Sequence, residues 1–232
     1  MAIVPFLAVT EAEIRKNSSY PQKTAWMGCT FSSWNPGLSN LPFSLPPESA
    51  LILTDQTPFS GHDPDMILRQ LEGCIQRLSC CALVLDLQRS GVPEVAELTR
   101  LLSESLPCPV IVSACYGQDI SCPVFLPPVP PSVPAEEYLK AWKGREIWLE
   151  LALDGEIITL TSKGAQTTPL PCGCEEDGFS DKPLHCHYHT ETDADSARFT
   201  LWRTREDLDD LISEAAQLGV AEMIGLYQEL AM

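Results

Sequence analysis

The sequence has few basic residues for its size. Its 232 residues include 15 lysines and arginines against 32 aspartates and glutamates, which gives a formal net charge of -17 at pH 7. A polyanionic phosphate backbone or an anionic lipid surface repels a chain of this charge. The deficit of positive charge therefore argues against both nucleic acid and membrane surfaces as partners.

Long hydrophobic runs and nucleotide-binding motifs are also missing. No apolar segment approaches the roughly 18 residues that a membrane span requires. The apolar start, residues 1–9, has no basic flank and no small-residue cleavage site, so we expect a buried strand there rather than a signal peptide. The sequence contains neither a G-x-G-x-x-G segment nor a P-loop lysine, which argues against the nucleotide sites that those motifs mark.

Cysteine, by contrast, is abundant, with ten in the chain. Several lie in or beside apolar runs, as do Cys80, Cys81 and Cys108, and a free thiol behaves there as a small buried hydrophobe. Because no export signal accompanies them, we expect reduced thiols and a cytoplasmic protein.

Strand-like and helix-like segments alternate along most of the chain. The run Ala50 to Thr54, for example, is followed by Asp63 and Pro64, a residue pair typical of a helix start. Repeated units of this kind predict a parallel sheet with helices outside it, and eight strands predict an α/β fold of the (β/α)8 TIM-barrel type. The predicted strands lie near residues 2–9, 24–31, 50–55, 81–87, 109–115, 123–126, 146–153 and 221–227.

Residues 154–202 interrupt this alternation. Asp154-Gly155 between two alternating segments predicts a hairpin turn, and residues 184–202 predict a second hairpin. Residues 164–183 are rich in Gly, Pro, Ser and Thr and are predicted to be a loop. We therefore expect a single barrel domain over residues 1–232, with a small antiparallel β-hairpin insertion after the seventh strand and no eighth helix after the last one.

Polar and aromatic side chains follow several of the predicted strands. Active sites of such barrels lie at the carboxyl ends of the strands, so we expect these side chains to form a ligand-binding rim. The alternative is that they are polar only because they leave the core. The candidates are Asp55, Gln56, Asp86, Gln88, Tyr116, Glu150 and Tyr227.

The strand order, the insertion and the end of the fourth strand resemble glycoside hydrolase family 18, the chitinase-like barrels. Members of that family carry a D-x-x-D-x-D-x-E motif on strand four, where this chain ends Asp86-Leu87-Gln88. The resemblance implies that Asp86 supports the substrate's acetamido group and that position 88 protonates the leaving-group oxygen. Cys81 and Val84, however, stand where the earlier aspartates would lie.

Gln88 changes what the resemblance implies. Glutamine is isosteric with glutamate but has no titratable proton to give. General acid catalysis typically contributes roughly 10²–10⁴-fold to a rate. We therefore expect a chitinase-like pseudoenzyme without a cofactor that binds a saccharide or a protein at the rim. The alternative is an active glycosidase that uses Asp86 on strand four and Glu150 on strand seven.

A cluster of thiols and imidazoles supports a third hypothesis, a zinc-binding protein. Thiolates and imidazoles are the ligands that zinc prefers, and alternate histidines on one strand would share a face. The opposing interpretation is a solvent-facing histidine surface beside incidental thiols. The candidate ligands are Cys172, Cys174, His185, His187 and His189.

Overall fold

The computed structural model describes residues 3–17, 20–21, 23–118, 120–170 and 178–231. Eight parallel strands form a closed ring in it, because the first strand pairs with both the second and the last. The predicted eight-stranded α/β barrel is therefore confirmed. The barrel strands are β1 (Phe6–Val9), β2 (Thr24–Phe31), β4 (Ala50–Thr54), β5 (Ala82–Asp86), β6 (Val110–Ser113), β7 (Val124–Leu126), β8 (Ile147–Leu151) and β14 (Glu222–Leu226), and the two-residue β3 (Leu38–Ser39) pairs antiparallel with β2.

The helix α2 (Pro64–Leu78) shows how local sequence sets the helix ends. The Asp63 side chain accepts hydrogen bonds from the amides of Asp65 and Met66, and Ser79 ends the helix in a left-handed conformation. After the last barrel strand the chain forms one four-residue helical turn. The other helices are α1 (Glu11–Asn17), α3 (Pro93–Ser105), α4 (Ala114–Gly117), α5 (Ala135–Lys140), α6 (Arg205–Gln217) and α7 (Tyr227–Leu230).

Side chains along the barrel strands alternate between two apolar layers. One set points into the barrel, where the rings of Phe6 and Trp148 stack with their centroids 5.5 Å apart. The opposite set, which includes Leu83 and Leu149, packs against the surrounding helices. Because both faces of each strand are buried, the strands read as continuous apolar runs in the sequence.

A second, antiparallel sheet of five strands lies between β8 and α6. Its strand order is β10-β9-β13-β12-β11. The predicted hairpin over residues 184–202 is confirmed, because β12 and β13 pair antiparallel across the turn at residues 193–195. The strands are β9 (Gly155–Thr161), β10 (Gly164–Leu170), β11 (Phe179–Asp181), β12 (Cys186–Thr192) and β13 (Ser196–Trp202).

Two local predictions in this region are wrong. The first is the hairpin at Asp154-Gly155, because β8 belongs to the barrel while β9 pairs with β10 and β13. Gly155 is instead needed for close packing, since a Cβ there would lie 2.6 Å from the Leu201 carbonyl oxygen. The second is the loop over residues 164–183, which contains β10 and β11; residues 171–177 of that range lie outside the described residues. Nearly every residue of β10 is exposed, so that strand has no hydrophobic alternation to reveal it.

A buried arginine joins this second sheet to the barrel. Arg203, just after β13, donates hydrogen bonds to the carbonyl oxygens of Val129 and Pro130 in the proline-rich connection after β7. Its Nε also donates to the His185 carbonyl oxygen at 3.1 Å. Since the guanidinium is buried, these carbonyls supply the acceptors that water would otherwise provide.

Two further properties concern the described ranges as a whole. None of the helices there combines the length and the apolarity that a bilayer crossing requires. Every cysteine in those ranges is a free thiol.

Candidate functional site

The two-residue period of the strands determines which polar side chains reach the inside of the barrel. On β5, Val84 faces the interior cluster and Asp86 follows it on the same face. On β8, Trp148 faces that cluster and Glu150 follows it. Both carboxylates therefore enter the barrel at the carboxyl ends of their strands, directly above the apolar interior.

These two carboxylates share a pocket of about 210 Å³ at the carboxyl ends of β5 to β8. A second cavity of about 40 Å³ lies deeper in the barrel and is also lined by Asp86, Glu150 and Phe125. The carboxylates thus separate an open rim pocket from a small interior space. The rim pocket is lined by Asp86, Leu87, Gln88, Ser113, Ala114, Cys115, Phe125, Pro127 and Glu150.

Burial and like charge disfavour ionisation of both carboxylates. Burial, followed by the charges of Asp86, Asp154 and Glu229, raises the pKa of Glu150 to about 7. Burial also raises the pKa of Asp86, with a further contribution from Asp55, while the hydrogen bond from Gln88 opposes the rise. At neutral pH Glu150 is therefore a mixture of protonated and ionised forms.

Gln88 and Glu150 differ in how their side chains are held. The Gln88 side-chain amide donates a hydrogen bond to Asp86 Oδ1 at 3.0 Å. No described residue donates a hydrogen bond to the Glu150 carboxylate. An amide donor stabilises the ionised form of Asp86, whereas Glu150 is left available to a ligand.

Two of the predicted rim residues hold the Gln88 segment instead of lining the rim pocket. The Asp55 carboxylate accepts a hydrogen bond from the Arg89 amide at 2.8 Å. The buried Tyr116 donates its hydroxyl hydrogen bond to the Arg89 carbonyl oxygen. Asp55 and Tyr116 therefore fix the backbone on one side of Gln88.

Ser113 and Cys115 fix the other side of that segment. The Ser113 hydroxyl donates to the Leu85 carbonyl oxygen at 2.5 Å and accepts from the Leu87 amide at 2.8 Å. The Cys115 thiol donates to the Leu87 carbonyl oxygen at 3.0 Å, and burial raises its pKa. Neither group is therefore arranged as a nucleophile; both act as supports for the rim.

The remaining predicted rim residues occupy other positions. Gln56 is exposed on the turn after β4. Tyr227 begins α7 and packs, partly buried, against the helix-facing core. Its neighbour Glu229 accepts a hydrogen bond from the Leu153 amide at 3.0 Å and so holds a negative charge close to Glu150.

Phe125, Pro127 and Ala114 line the pocket and were not among the predicted site residues. The two-residue period could have identified Phe125, because it lies one strand over from Trp148 and is paired with it in register. Pro127 and Ala114 lie past the ends of β7 and β6, where the strand period no longer applies.

Two histidines in and beside β12, His185 and His187, are paired with acidic residues of α6. His187 Nδ1 lies 2.8 Å from Asp207 Oδ2, and His185 Nε2 is hydrogen-bonded to Glu214. His185 precedes β12 in a left-handed conformation, so the prediction that three histidines share one strand face is wrong for that residue. His189 packs against the Trp202 ring at 5.9 Å.

No three His, Cys, Asp or Glu side chains in the described ranges are grouped so that they could hold a metal ion. Cys172 and Cys174 lie outside the described residues, so among the predicted zinc ligands this absence concerns only His185, His187 and His189.

Several solved structures share this fold at low sequence identity. The spore cortex-lytic enzyme SleL of Bacillus cereus superposes with a TM-score of 0.58 at 12% identity, over 96% of this chain and 70% of that one. The SleL enzyme of Bacillus megaterium gives 0.57 at 10% identity, over 95% and 69%. A chitinase from Chromobacterium violaceum gives 0.55 at 10% identity, over 96% and 93%. No protein-family profile matches the sequence. No curated protein matches it either.

Proposed function

We propose that this barrel binds a saccharide in its rim pocket and does not hydrolyse it by the route of glycoside hydrolase family 18. The observation that carries the proposal is the pocket itself, in which Asp86, Gln88 and Glu150 line one concave site at the carboxyl ends of the strands. Barrels use this end for their ligands. The fold is shared with a chitinase and with cortex-lytic enzymes, which supports a sugar as the ligand.

The chemistry of Gln88 supports the absence of that hydrolytic route. Its amide can hydrogen-bond a sugar hydroxyl, but it has no proton for a leaving group. It is also an exposed side chain that already donates to Asp86, so it orients Asp86 rather than sharing a proton with it. The pocket therefore keeps polar groups suited to sugar binding and lacks the expected acid.

The pocket is small for a polysaccharide site. Its volume of about 210 Å³ lies below the roughly 300–1,000 Å³ of common small-molecule pockets. Phe125 and Pro127 supply an apolar wall in the same lining. A single sugar unit at the end of a chain fits this combination better than the middle of a long polymer does.

The test is a pair of measurements on the full chain. Calorimetric titration with tetramers of glucose, glucosamine and N-acetylglucosamine should show saturable binding of at least one, and Phe125→Ala should weaken it. Chromogenic amino-sugar glycosides should show no turnover. Absence of binding by all three tetramers at millimolar concentration would overturn the saccharide proposal.

A glycosidase that uses Asp86 and Glu150 is the second candidate. It is favoured by the position of these two carboxylates in one pocket, where burial and neighbouring carboxylates raise the pKa of Glu150 to about 7. Two carboxyl groups with different environments are typical of an acid and a base in glycoside hydrolysis. Turnover that is lost in both Asp86→Asn and Glu150→Gln, yet kept in Gln88→Ala, would establish this candidate and show that the pocket hydrolyses its saccharide by a route independent of position 88.

A further inference from the structure

The charged side chains that line the rim pocket are both acidic. Asp86 and Glu150 line the pocket, and no basic side chain does. The charges of Asp154 and Glu229 also act on Glu150, and the charge of Asp55 acts on Asp86. A ligand that enters this pocket therefore meets a negative potential that no cation of its lining offsets.

Three arginines that interact with residues around these carboxylates already have partners within the protein. Arg89 donates its Nε hydrogen bond to the Asp55 carbonyl oxygen at 3.2 Å, and its Nε lies 3.9 Å from the Asp55 carboxylate. Arg205 donates to the carbonyl oxygens of Glu229 and Leu230. Arg203 is buried under the second sheet. None of these side chains is among those that line the pocket.

The acidic groups are not arranged for a metal ion. In the described parts of the chain no three acidic, His or Cys side chains converge as a metal requires. A metal ion needs several oxygen ligands at short and regular distances. An ammonium group has three hydrogen-bond donors and needs fewer, less regular contacts, which two carboxylates that line the same pocket can accept.

We propose that the saccharide bound here carries a free, protonated amine, as an unacetylated 2-amino-2-deoxy sugar does, and that this ammonium contacts Asp86 and Glu150. The inference rests on the proposed saccharide function and names the chemical class of its ligand. The apolar wall of Phe125 and Pro127 contacts a face of the sugar ring, while Gln88 offers its amide oxygen to a hydroxyl or ammonium hydrogen.

The physical reason is the cost of two partly buried carboxylates in a pocket whose lining has no basic side chain. A cationic ligand supplies the missing charge and favours ionised Glu150, so part of its binding free energy comes from relieving the repulsion between carboxylates. An N-acetylated sugar removes water from the carboxylates without adding positive charge. A uronic acid adds a further negative charge and is repelled.

Three tetramers separate these classes: glucosamine, N-acetylglucosamine and galacturonic acid. In calorimetric titrations of the full chain at pH 7, we expect the glucosamine tetramer to bind at least tenfold more tightly than the N-acetylated one, and the galacturonate tetramer to bind most weakly. Tighter or equal binding of the N-acetylated tetramer would overturn the amine inference while leaving saccharide binding in place. Binding of none of them would overturn both.

A second readout follows the carboxylate itself. Carbon-13 NMR of the Glu150 carboxyl should show its pKa fall by about one unit when glucosamine tetramer is bound. By linkage, a fall of one unit means that the ligand binds the ionised form tenfold more tightly than the protonated form. The N-acetylated tetramer should not lower it. Glu150→Gln should remove the tenfold preference, whereas Glu137→Gln, an exposed change on α5, should keep it.

Discussion

The side-chain amide of Gln88 donates a hydrogen bond to Asp86 Oδ1 at 3.0 Å, at the carboxyl end of β5. Because the amide donates here, this hydrogen bond favours the ionised form of Asp86 and partly opposes the rise in pKa that burial causes. A glutamate here would instead put a second negative charge beside Asp86. The pair would then hold a proton between them, which is the state that an acid catalyst needs.

The first prediction is therefore a gain of function in Gln88→Glu. We expect this variant to hydrolyse chromogenic N-acetylglucosamine glycosides about 10²-fold or more faster than the native chain, because a general acid typically contributes that much. The measurement is release of the chromophore at pH 5–7. The double variant Gln88→Glu with Asp86→Asn serves as the control and should lose the gain. Equal rates in all three proteins would contradict the assignment of position 88.

The second prediction concerns stability and Glu150. Its pKa rises from 4.5 to about 7 on folding, so the folded state binds more protons than the unfolded state between these values. The contribution of the Glu150 carboxyl to the free energy of unfolding is therefore fully present below about pH 4.5 and is lost as the pH rises through 7. Glu150→Gln should gain about 3 kcal/mol over the native chain between pH 5 and pH 9, at about 1.4 kcal/mol per pKa unit.

Urea unfolding at the two pH values measures this difference. Carboxylates remote from Glu150 titrate alike in both proteins and cancel in the comparison, whereas Asp86, Asp154 and Glu229 interact with Glu150 and contribute to the difference. Glu137→Gln is the matched control, because it removes one exposed carboxylate from the surface of α5 and should change the pH dependence little. A Glu150→Gln variant with the same pH profile as the native chain would show that Glu150 ionises normally.

The third prediction concerns the support under the rim. Ser113→Ala removes the hydroxyl that joins the Leu85 carbonyl oxygen to the Leu87 amide. Because these groups are buried, the loss should lower the free energy of unfolding by about 1–3 kcal/mol. Saccharide affinity should fall as well, since Leu87 and its neighbour Gln88 both line the pocket.

Ser103→Ala is the control for that experiment. The Ser103 hydroxyl bonds to the Arg100 carbonyl oxygen on the exposed side of α3, so its removal should change stability by less than about 0.5 kcal/mol. Equal free energies of unfolding in the two serine variants would show that the Ser113 hydrogen bonds do not stabilise the rim.

The fourth prediction concerns zinc. His185 and His187 are bonded to Glu214 and Asp207 of α6, so a zinc ion would have to compete with those pairs. We expect elemental analysis of the purified chain to find no stoichiometric zinc, and a chelator to leave the melting temperature unchanged. One zinc per chain that is lost in Cys172→Ser and Cys174→Ser would reverse this and support the cluster.

Particular residues show which elements of the fold the sequence predicts and which it does not. The barrel strands were recognisable because both of their faces are apolar, as in Ala82 to Leu85. The capping pair Asp63 and Pro64 marked the start of α2 correctly. The strand β10 was missed because it is exposed and follows no period. The Asp154-Gly155 pair was misread because a turn signal does not reveal which sheet the next strand joins.

The candidate site also has features that the sequence determines and features that only the fold determines. The sequence alone determined that Asp86, Gln88 and Glu150 follow apolar strands and that position 88 has no acid, because side-chain chemistry and strand period are local properties. Only the tertiary structure decided that Asp86 and Glu150 share one pocket, and that Asp55 and Tyr116 brace Arg89 instead. Closure of the barrel brings together strands far apart in the chain, and the potential in the pocket depends on those long-range distances.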